Sequence, residues 1–365
     1  MTPGAPAPAV DEAFWRGRRV LVTGHTGFKG SWLALWLQRL GAEVVGFALV
    51  PATTPSLFEA ANVAAGMESA TGDIRDAQRL ACAVSEYSPE IVFHLAAQAL
   101  VRTSYTDPPE TFAVNVLGTV NLLEAVRACE CVRVTVVVTS DKCYENHESV
   151  RPYREGDALG GRDPYSASKA CAELVAASYQ DSFFAAAADG KAAAIATARA
   201  GNVLGGGDWS ADRLVPDLVR SQVANDPLVL RYPDSVRPWQ HVLDPLGGYL
   251  VLAQALWERP ELAGAWNFAP DAEDAWSVER IVRRLGELLG RSGEWIQHPG
   301  PLPHEAGSLR LDASKARSLL GWAPQFSLEE TLASVAEWYG GYAAGRPARE
   351  LVEADLDRYD HVVPS

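Results

Sequence analysis

Cysteine is scarce in this 365-residue chain, and the five present (Cys82, Cys129, Cys131, Cys143, Cys171) are odd in number and form no C-x-x-C pair. Neither a disulfide framework nor a zinc site follows from that spacing, and a reducing, cytoplasmic setting fits it best. Histidine is sparse too: the seven present offer no H-x-x-x-H face, so no metal is expected. Basic charge is outweighed, with 32 Lys and Arg against 46 Asp and Glu and a net charge of -14. Phosphates of nucleic acid or anionic lipid would be repelled, so nucleic acid is not an expected partner. Long apolar runs are lacking as well. The most apolar window, Ser31 to Val50, is interrupted by Gln38, Arg39 and Glu43, so no membrane span is expected. Met1 to Val10 has neither a basic n-region nor an apolar h-region and reads as a flexible tail, not a signal peptide.

What is present is enough apolar residue, 48%, for one large core or a core with a smaller lobe. Arg19 to Thr23 reads as a short strand, Gly24 to Gly30 as a glycine-rich turn, Ser31 to Leu40 as a helix stopped by Gly41, and Glu43 to Leu49 as a second strand. That is one βαβ unit. The alternation continues with strands at Ile91 to Leu95, Val134 to Thr139 and Ala194 to Arg199, separated by helical patterns at 76–87, 111–128 and 166–182. Continuous apolar strands are buried on both faces, which predicts an α/β fold: a Rossmann-type, doubly wound parallel sheet with a smaller C-terminal α/β lobe. After Asn202 the texture changes to glycines, prolines and tryptophans. The expected division is a dinucleotide-binding domain at 15–205 plus 238–269 and a ligand-binding lobe at 206–237 plus 270–345. Helix 245–257 and strand 265–268 return to the main sheet, helices 278–289 and 328–339 belong to the lobe, and 1–14 and 346–365 are tails.

The strongest local signal is Thr23-Gly24-His25-Thr26-Gly27-Phe28-Lys29-Gly30, a G-x-x-G-x-x-G run between a strand and a helix. Glycines let the backbone approach a pyrophosphate, and the N–H groups of the next helix offer donors to it. An ordinary glycine turn would not need that context. The second strand ends without the acidic residue that grips an adenosine ribose; Asp73, followed by Ile74, is the next candidate, and a helix cap is its bland alternative. NAD is therefore the expected cofactor, with NADP not excluded. Tyr165 and Lys169 stand four residues apart, on one helix face after Pro164, where a lysine charge favours ionisation of a phenol. Such a pair is common on surface helices; the glycine fingerprint and Ser140, at the carboxyl end of a strand, turn it into a candidate site. Asp141 and Lys142 follow Ser140 and form an acid/base couple, against the alternative of a turn-capping Asp beside a solvated Lys.

These segments, with His94 to Gln98 (H-L-A-A-Q), Asn115 to Thr119 (N-V-L-G-T), Thr139 to Asn146 (T-S-D-K-C-Y-E-N), 199–209, 212–217 and 237–243, resemble the extended short-chain dehydrogenase/reductase family. The likeness covers about residues 15 to 340 and is strongest to the branch of 4,6-dehydratases acting on CDP-glucose. Lys142 is diagnostic, since dTDP-glucose dehydratases carry Asp-Glu here and sugar epimerases usually neither. The resemblance implies a triad of Ser140, Tyr165 and Lys169, with Asp141 and Lys142 eliminating water. It implies cofactor contacts from Thr23, Gly24, Thr26, Gly27, Phe28, Lys29 and Gly30, from Asp73 and Ile74, from Leu95, Ala96, Ala97 and Gln98, and from Asn115, Thr139, Tyr165 and Lys169. Arg102, Asn202, Arg213, Arg237, His241 and Glu305 would contact a nucleotide sugar, and a homodimer is implied. Open alternatives are an epimerase or reductase with the same triad, a dehydratase for a GDP-, dTDP- or UDP-sugar, and a non-catalytic dinucleotide sensor.

Overall fold

The structure, a computed structural model, describes residues 10–149, 151–184, 193–291, 294–300 and 309–362. Twelve strands are present among them: β1 (Arg19–Thr23), β2 (Glu43–Ala48), β3 (Glu68–Thr71), β4 (Ile91–His94), β5 (Val134–Val138), β6 (Ala194–Ala200), β7 (Asn202–Leu204), β8 (Leu228–Leu230), β9 (Val236–His241), β10 (Gly264–Phe268), β11 (Ala275–Ser277) and β12 (Trp295–Gln297). Seven of them form the main sheet in the order β10-β6-β5-β4-β1-β2-β3, and every pairing in it is parallel. The β-branched strands β4 and β5 are buried along their whole length, as a sheet covered on both faces requires. From β1 the chain runs outward to β2 and β3, then returns to place β4 on the other side of β1. A crevice opens at that reversal, outside the carboxyl ends of β1 and β4.

The return of β10 to the main sheet matches the sequence reading. What the sequence did not show is a three-stranded sheet, β11-β9-β7, and a two-stranded one, β12-β8. Their strands are three to six residues long, too short for a period-2 pattern to stand out. Four further corrections concern helices. The first begins at Phe28, inside the glycine turn, and ends at Arg39. The helix expected over 111–128 is interrupted by a π-turn at Ala113–Leu117 that contains Asn115. Residues Ala348–Val362, read as tail, form a helix that buries Leu351, Val352, Leu356 and Tyr359, and a short helix at Glu12–Trp15 buries Trp15.

Phe28–Arg39 is apolar nearly all round because it is covered from several sides, by β1 and β2, by the segments Leu57–Ala60 and Val63–Gly66, by the helix Leu243–Glu258 and, at Trp36 and Arg39, by the C-terminal helix. Eight consecutive residues of Phe28–Arg39, Gly30 to Leu37, are buried, more than a sheet alone covers. The Trp36 ring meets Tyr359 edge-on at 5.2 Å, and Arg39 is ion-paired with Glu353, Asp357 and Asp360. Most of the alanine-rich stretch Ala185 to Ala194, which the sequence marks as a loop between a helix end and a strand, and most of the N-terminal tail lie outside the described residues.

Candidate active site

A cleft of about 610 Å³ lies over the carboxyl ends of the main-sheet strands and extends to the short strands of the second half. Its floor begins at the glycine turn. Gly24 has φ +76°, and a Cβ there would sit 2.6 Å from the Ala96 nitrogen, so the turn after β1 lies directly against the turn after β4. A Cβ on Gly30 would meet the Gly24 carbonyl oxygen at 2.1 Å. Gly27 caps the helix without a side-chain hydrogen bond, which leaves first-turn N–H groups available to an anion. This cradle fits a dinucleotide: backbone donors for its pyrophosphate, no side chain in the way, and Asp73 and Ile74 at the outer end of the same cleft. Thr26, Phe28, Lys29, Leu95, Ala96, Ala97 and Thr139 line it too. Asp73 does not cap a helix. Its carboxylate accepts from the Arg75 backbone N–H at 2.9 Å and from the Arg75 guanidinium, which holds it below the usual carboxylate range.

Four expected contacts face elsewhere. The Thr23 hydroxyl pairs with His94 Nδ1 at 2.7 Å beneath the turn. Gln98 and Asn115 bind each other: Gln98 N–H donates to Asn115 Oδ1 at 2.8 Å, and Asn115 Nδ2 donates to the Gln98 carbonyl at 3.0 Å and to Ser168 Oγ at 2.9 Å. They fix the Leu95–Ala99 turn to the helix that carries Tyr165. His241 is fully buried, its ring edge-on to Phe326 at 4.8 Å and its Nδ1 accepting from the Leu243 N–H, so it belongs to the core and not to the cleft. Glu305 lies outside the described residues.

Ser140, Asp141, Lys142, Tyr165 and Lys169 do converge on the cleft. Asp163 caps the helix Pro164–Tyr179, accepting from the Ser166 N–H at 2.9 Å, and Tyr165 and Lys169 follow one turn apart. Ser140 stands two residues past the end of β5, and its hydroxyl donates to Asp141 Oδ1 at 3.0 Å and favours ionisation of the Tyr165 phenol. Burial pushes the Asp141 carboxyl above its ordinary range, against the pull of Lys142, Ser140, Arg237 and Lys29. Burial also raises the Tyr165 phenol, opposed by the Ser140 hydroxyl and the Arg213 guanidinium. Lys169 was expected to do that. Instead its ammonium donates to the Val138 carbonyl at 3.2 Å, and burial pushes it down to about 8 with Glu173 resisting. In the free protein Tyr165 is thus a neutral phenol at pH 7, and additional positive charge is needed to make it a base.

Asn202, Arg213, Arg237 and Arg102 line the far half of the cleft. Three features were not read from the sequence. The Lys29 side chain, expected among the cofactor contacts, also faces the reacting groups: burial, then Arg213 and Lys169, push it down to about 7, while Asp141 raises it. Glu173, one turn beyond Lys169, forms a buried ion pair with Arg199 at 2.7 Å, each side chain 3% exposed, and also accepts from Thr197 at 2.6 Å and from Thr139. Lys169 and Glu173 at i and i+4 were a visible signal. Arg231, after the three-residue strand β8, had none.

Comparison with known proteins agrees with this geometry. The family model described as GDP-mannose 4,6 dehydratase matches residues 21–259. The chain is 51% identical over 352 residues to the CDP-glucose 4,6-dehydratase of Salmonella typhimurium, covering 96% of this chain and 98% of that one. Among solved structures, UDP-glucose 4-epimerase from Brucella ovis in complex with NAD superposes with a TM-score of 0.74 at 25% identity, over 89% of this chain and 99% of that one. MoeE5 in complex with UDP-glucose and NAD gives 0.73 at 27%, over 90% and 100%. The chain belongs to the GDP-mannose 4,6-dehydratase family, within the extended short-chain dehydrogenases/reductases.

Proposed function

We propose that the chain converts CDP-glucose to CDP-4-keto-6-deoxyglucose and water on a resident NAD. One observation carries the reading: Asp141 and Lys142 stand beside Ser140 and Tyr165 in one cleft, in a chain half identical to a CDP-glucose 4,6-dehydratase. An oxidised dinucleotide bound in the glycine cradle would supply positive charge beside Tyr165 and the capacity to hold the C4 hydride within a turnover and give it up at C6. Ser140 holds the C4 oxygen, and Tyr165 takes the C4 hydroxyl proton. The resulting ketone acidifies C5–H. Lys142, or a group it positions, removes that proton while Asp141, whose hold on a proton is strengthened by burial, donates to the departing C6 hydroxyl. The atoms balance as one water lost, with no net redox change. Thr26, Gly27 and the first-turn N–H groups would hold the pyrophosphate of the dinucleotide, and Arg213 and Arg237 the diphosphate of the sugar.

The Asp141–Lys142 couple favours elimination over epimerisation, which needs no group to expel water. A homodimer and a cytoplasmic location are part of the proposal; among the described residues no helix is long and apolar enough to cross a membrane. The test is incubation of purified protein with CDP-, dTDP-, UDP- and GDP-glucose and GDP-mannose, without added cofactor. CDP-glucose should lose one water by mass and gain a ketone, with NAD released on denaturation. Product from another nucleotide sugar in preference to CDP-glucose would overturn the substrate, and C4-inverted sugar without water loss would overturn the reaction.

A further inference from the structure

Beyond the reacting residues, three charged side chains from separate segments meet at the cleft. Arg102 comes from the helix Val101–Thr106 after β4, Asp212 from the loop before the helix Leu214–Ala224, and Arg231 from the turn after β8. Asp212 Oδ1 accepts from Arg102 Nη1 at 2.7 Å and from Arg231 Nη1 at 2.8 Å, and its backbone carbonyl accepts from Arg231 Nη2 at 3.2 Å. Asp212 also has φ +60°, the left-handed region that non-glycine residues seldom occupy. All three residues line both the main cleft and an adjoining recess of about 300 Å³ that also contains Ser221 and His298. The ion-paired bridge therefore stands as the partition between the two spaces.

The charge balance at this partition is unequal. Arg213 and Arg237 line the same cleft, so four guanidinium groups share this region with Asp212 and with Asp217, which is itself paired to Arg220 at 2.5 Å. Burial opposes ionisation of Asp212, but Arg102 and Arg231 hold its carboxyl below the ordinary range, so it is an anion at neutral pH. One carboxylate oxygen shared between two forks leaves most of their donors uncommitted to an anion. A diphosphate carries more charge and more acceptor oxygens, and matches the fork geometry better. Side chains 56%, 31% and 29% exposed make a bridge that water weakens and a stronger anion can replace.

We propose that Arg102 and Arg231 receive the diphosphate of the nucleotide sugar, and that Asp212 holds the pair as an internal place-holder which the substrate displaces. This rests on the nucleotide-sugar reading of the cleft and adds to it a residue, Arg231, and an exchange step. Displacement frees Asp212 to leave the left-handed conformation, and because Arg213 follows it directly, the same movement adjusts a third arginine.

The test is calorimetric binding of CDP and of inorganic pyrophosphate to wild type, Asp212→Asn and Arg231→Gln, with UDP titrated into wild type to measure base preference. Asn keeps the shape and tolerates a left-handed backbone, so only the charge is lost. Asp212→Asn should bind both probes about three- to tenfold more tightly, the scale of a weak exposed ion-pair network. Arg231→Gln should bind both more weakly, by roughly tenfold or more, as loss of a bidentate charged donor implies. Unchanged or weaker binding by Asp212→Asn overturns the place-holder, and unchanged binding by Arg231→Gln overturns the arginine assignment. Pyrophosphate has neither base nor sugar. The expected shifts with pyrophosphate, joined to no preference for CDP over UDP, would uphold this exchange and sink the CDP-glucose reading instead.

Discussion

Removing the Tyr165 oxygen tests the chemistry at its smallest scale. Tyr165→Phe is expected to lower kcat by about a thousandfold or more while dinucleotide content is retained, since positioned acid–base groups contribute about 10²–10⁴-fold; turnover near the wild-type rate would refute the role. Asp141 acts while protonated, and its folded pKa is raised, so kcat should decline on the alkaline side as the carboxyl ionises. Asp141→Asn should abolish that limb along with most of the water loss, as measured from pH–rate profiles of both proteins. The residues that meet here were legible because each lies at a strand end or a helix start, where sequence distance translates into a position on the sheet. Their charge states were not. A phenol and an amine four residues apart suggest mutual help, yet Lys169 is drawn to the Val138 carbonyl, and the phenol is eased by Ser140 and by Arg213 from another segment.

At the level of elements, the helix Pro164–Tyr179 is fixed to the sheet by the Glu173–Arg199 pair. Glu173→Gln leaves a guanidinium buried without its counter-charge, and denaturant unfolding should register a loss of about 3–5 kcal/mol. Adding Arg199→Met should restore much of it; no recovery would show that the pair contributes more than mutual neutralisation. The helix Ala348–Val362 offers a second test. Each of its four large buried side chains is worth about 1.5–3 kcal/mol, and together they approach the whole net stability of a domain, about 5–15 kcal/mol. A chain ending at residue 345 is expected to be insoluble or to melt far below the full chain in a thermal scan. This helix was missed because Asp, Glu and Arg dominate Arg349 to Asp360, so its apolar stripe is narrow. The main-sheet strands other than the exposed edge strand β3 were found because burial on both faces makes them continuous apolar runs. The short strands of the second half have no such signature, and Arg231 went unseen with them.

For the molecule as a whole, pH dependence of stability comes from buried titratable groups outside the cleft. Asp244 is fully buried, accepts from the Gln325 N–H at 2.7 Å, and is pushed up to about 7 by that burial. A raised folded pKa means the protonated form is favoured in the native state, so its contribution is full below pH 4 and is lost as pH rises to 7. His241, buried beside Phe326 and lowered to about 3, has the opposite sign: its contribution is full above pH 6.5 and is lost as pH falls. These two slopes oppose one another over the acid range. Asp244→Asn keeps an acceptor for Gln325 without the ionisation, so its Tm should exceed that of wild type at pH 8 by several degrees, roughly 2–4 °C per kcal/mol gained. The difference should shrink toward pH 4; a constant offset would assign the effect to packing instead.

The cover that Tyr359 places over Trp36 has a consequence for biosynthesis. A ribosome releases the dinucleotide-cradling turn and its tryptophan-rich helix more than 300 residues before Tyr359, so the nascent polypeptide must carry the Trp36 edge of that ridge without its last cover for most of translation. Holdase chaperones therefore have a long interval in which to engage it, and a ribosome stalled short of residue 359 would display a species prone to clumping rather than a working half.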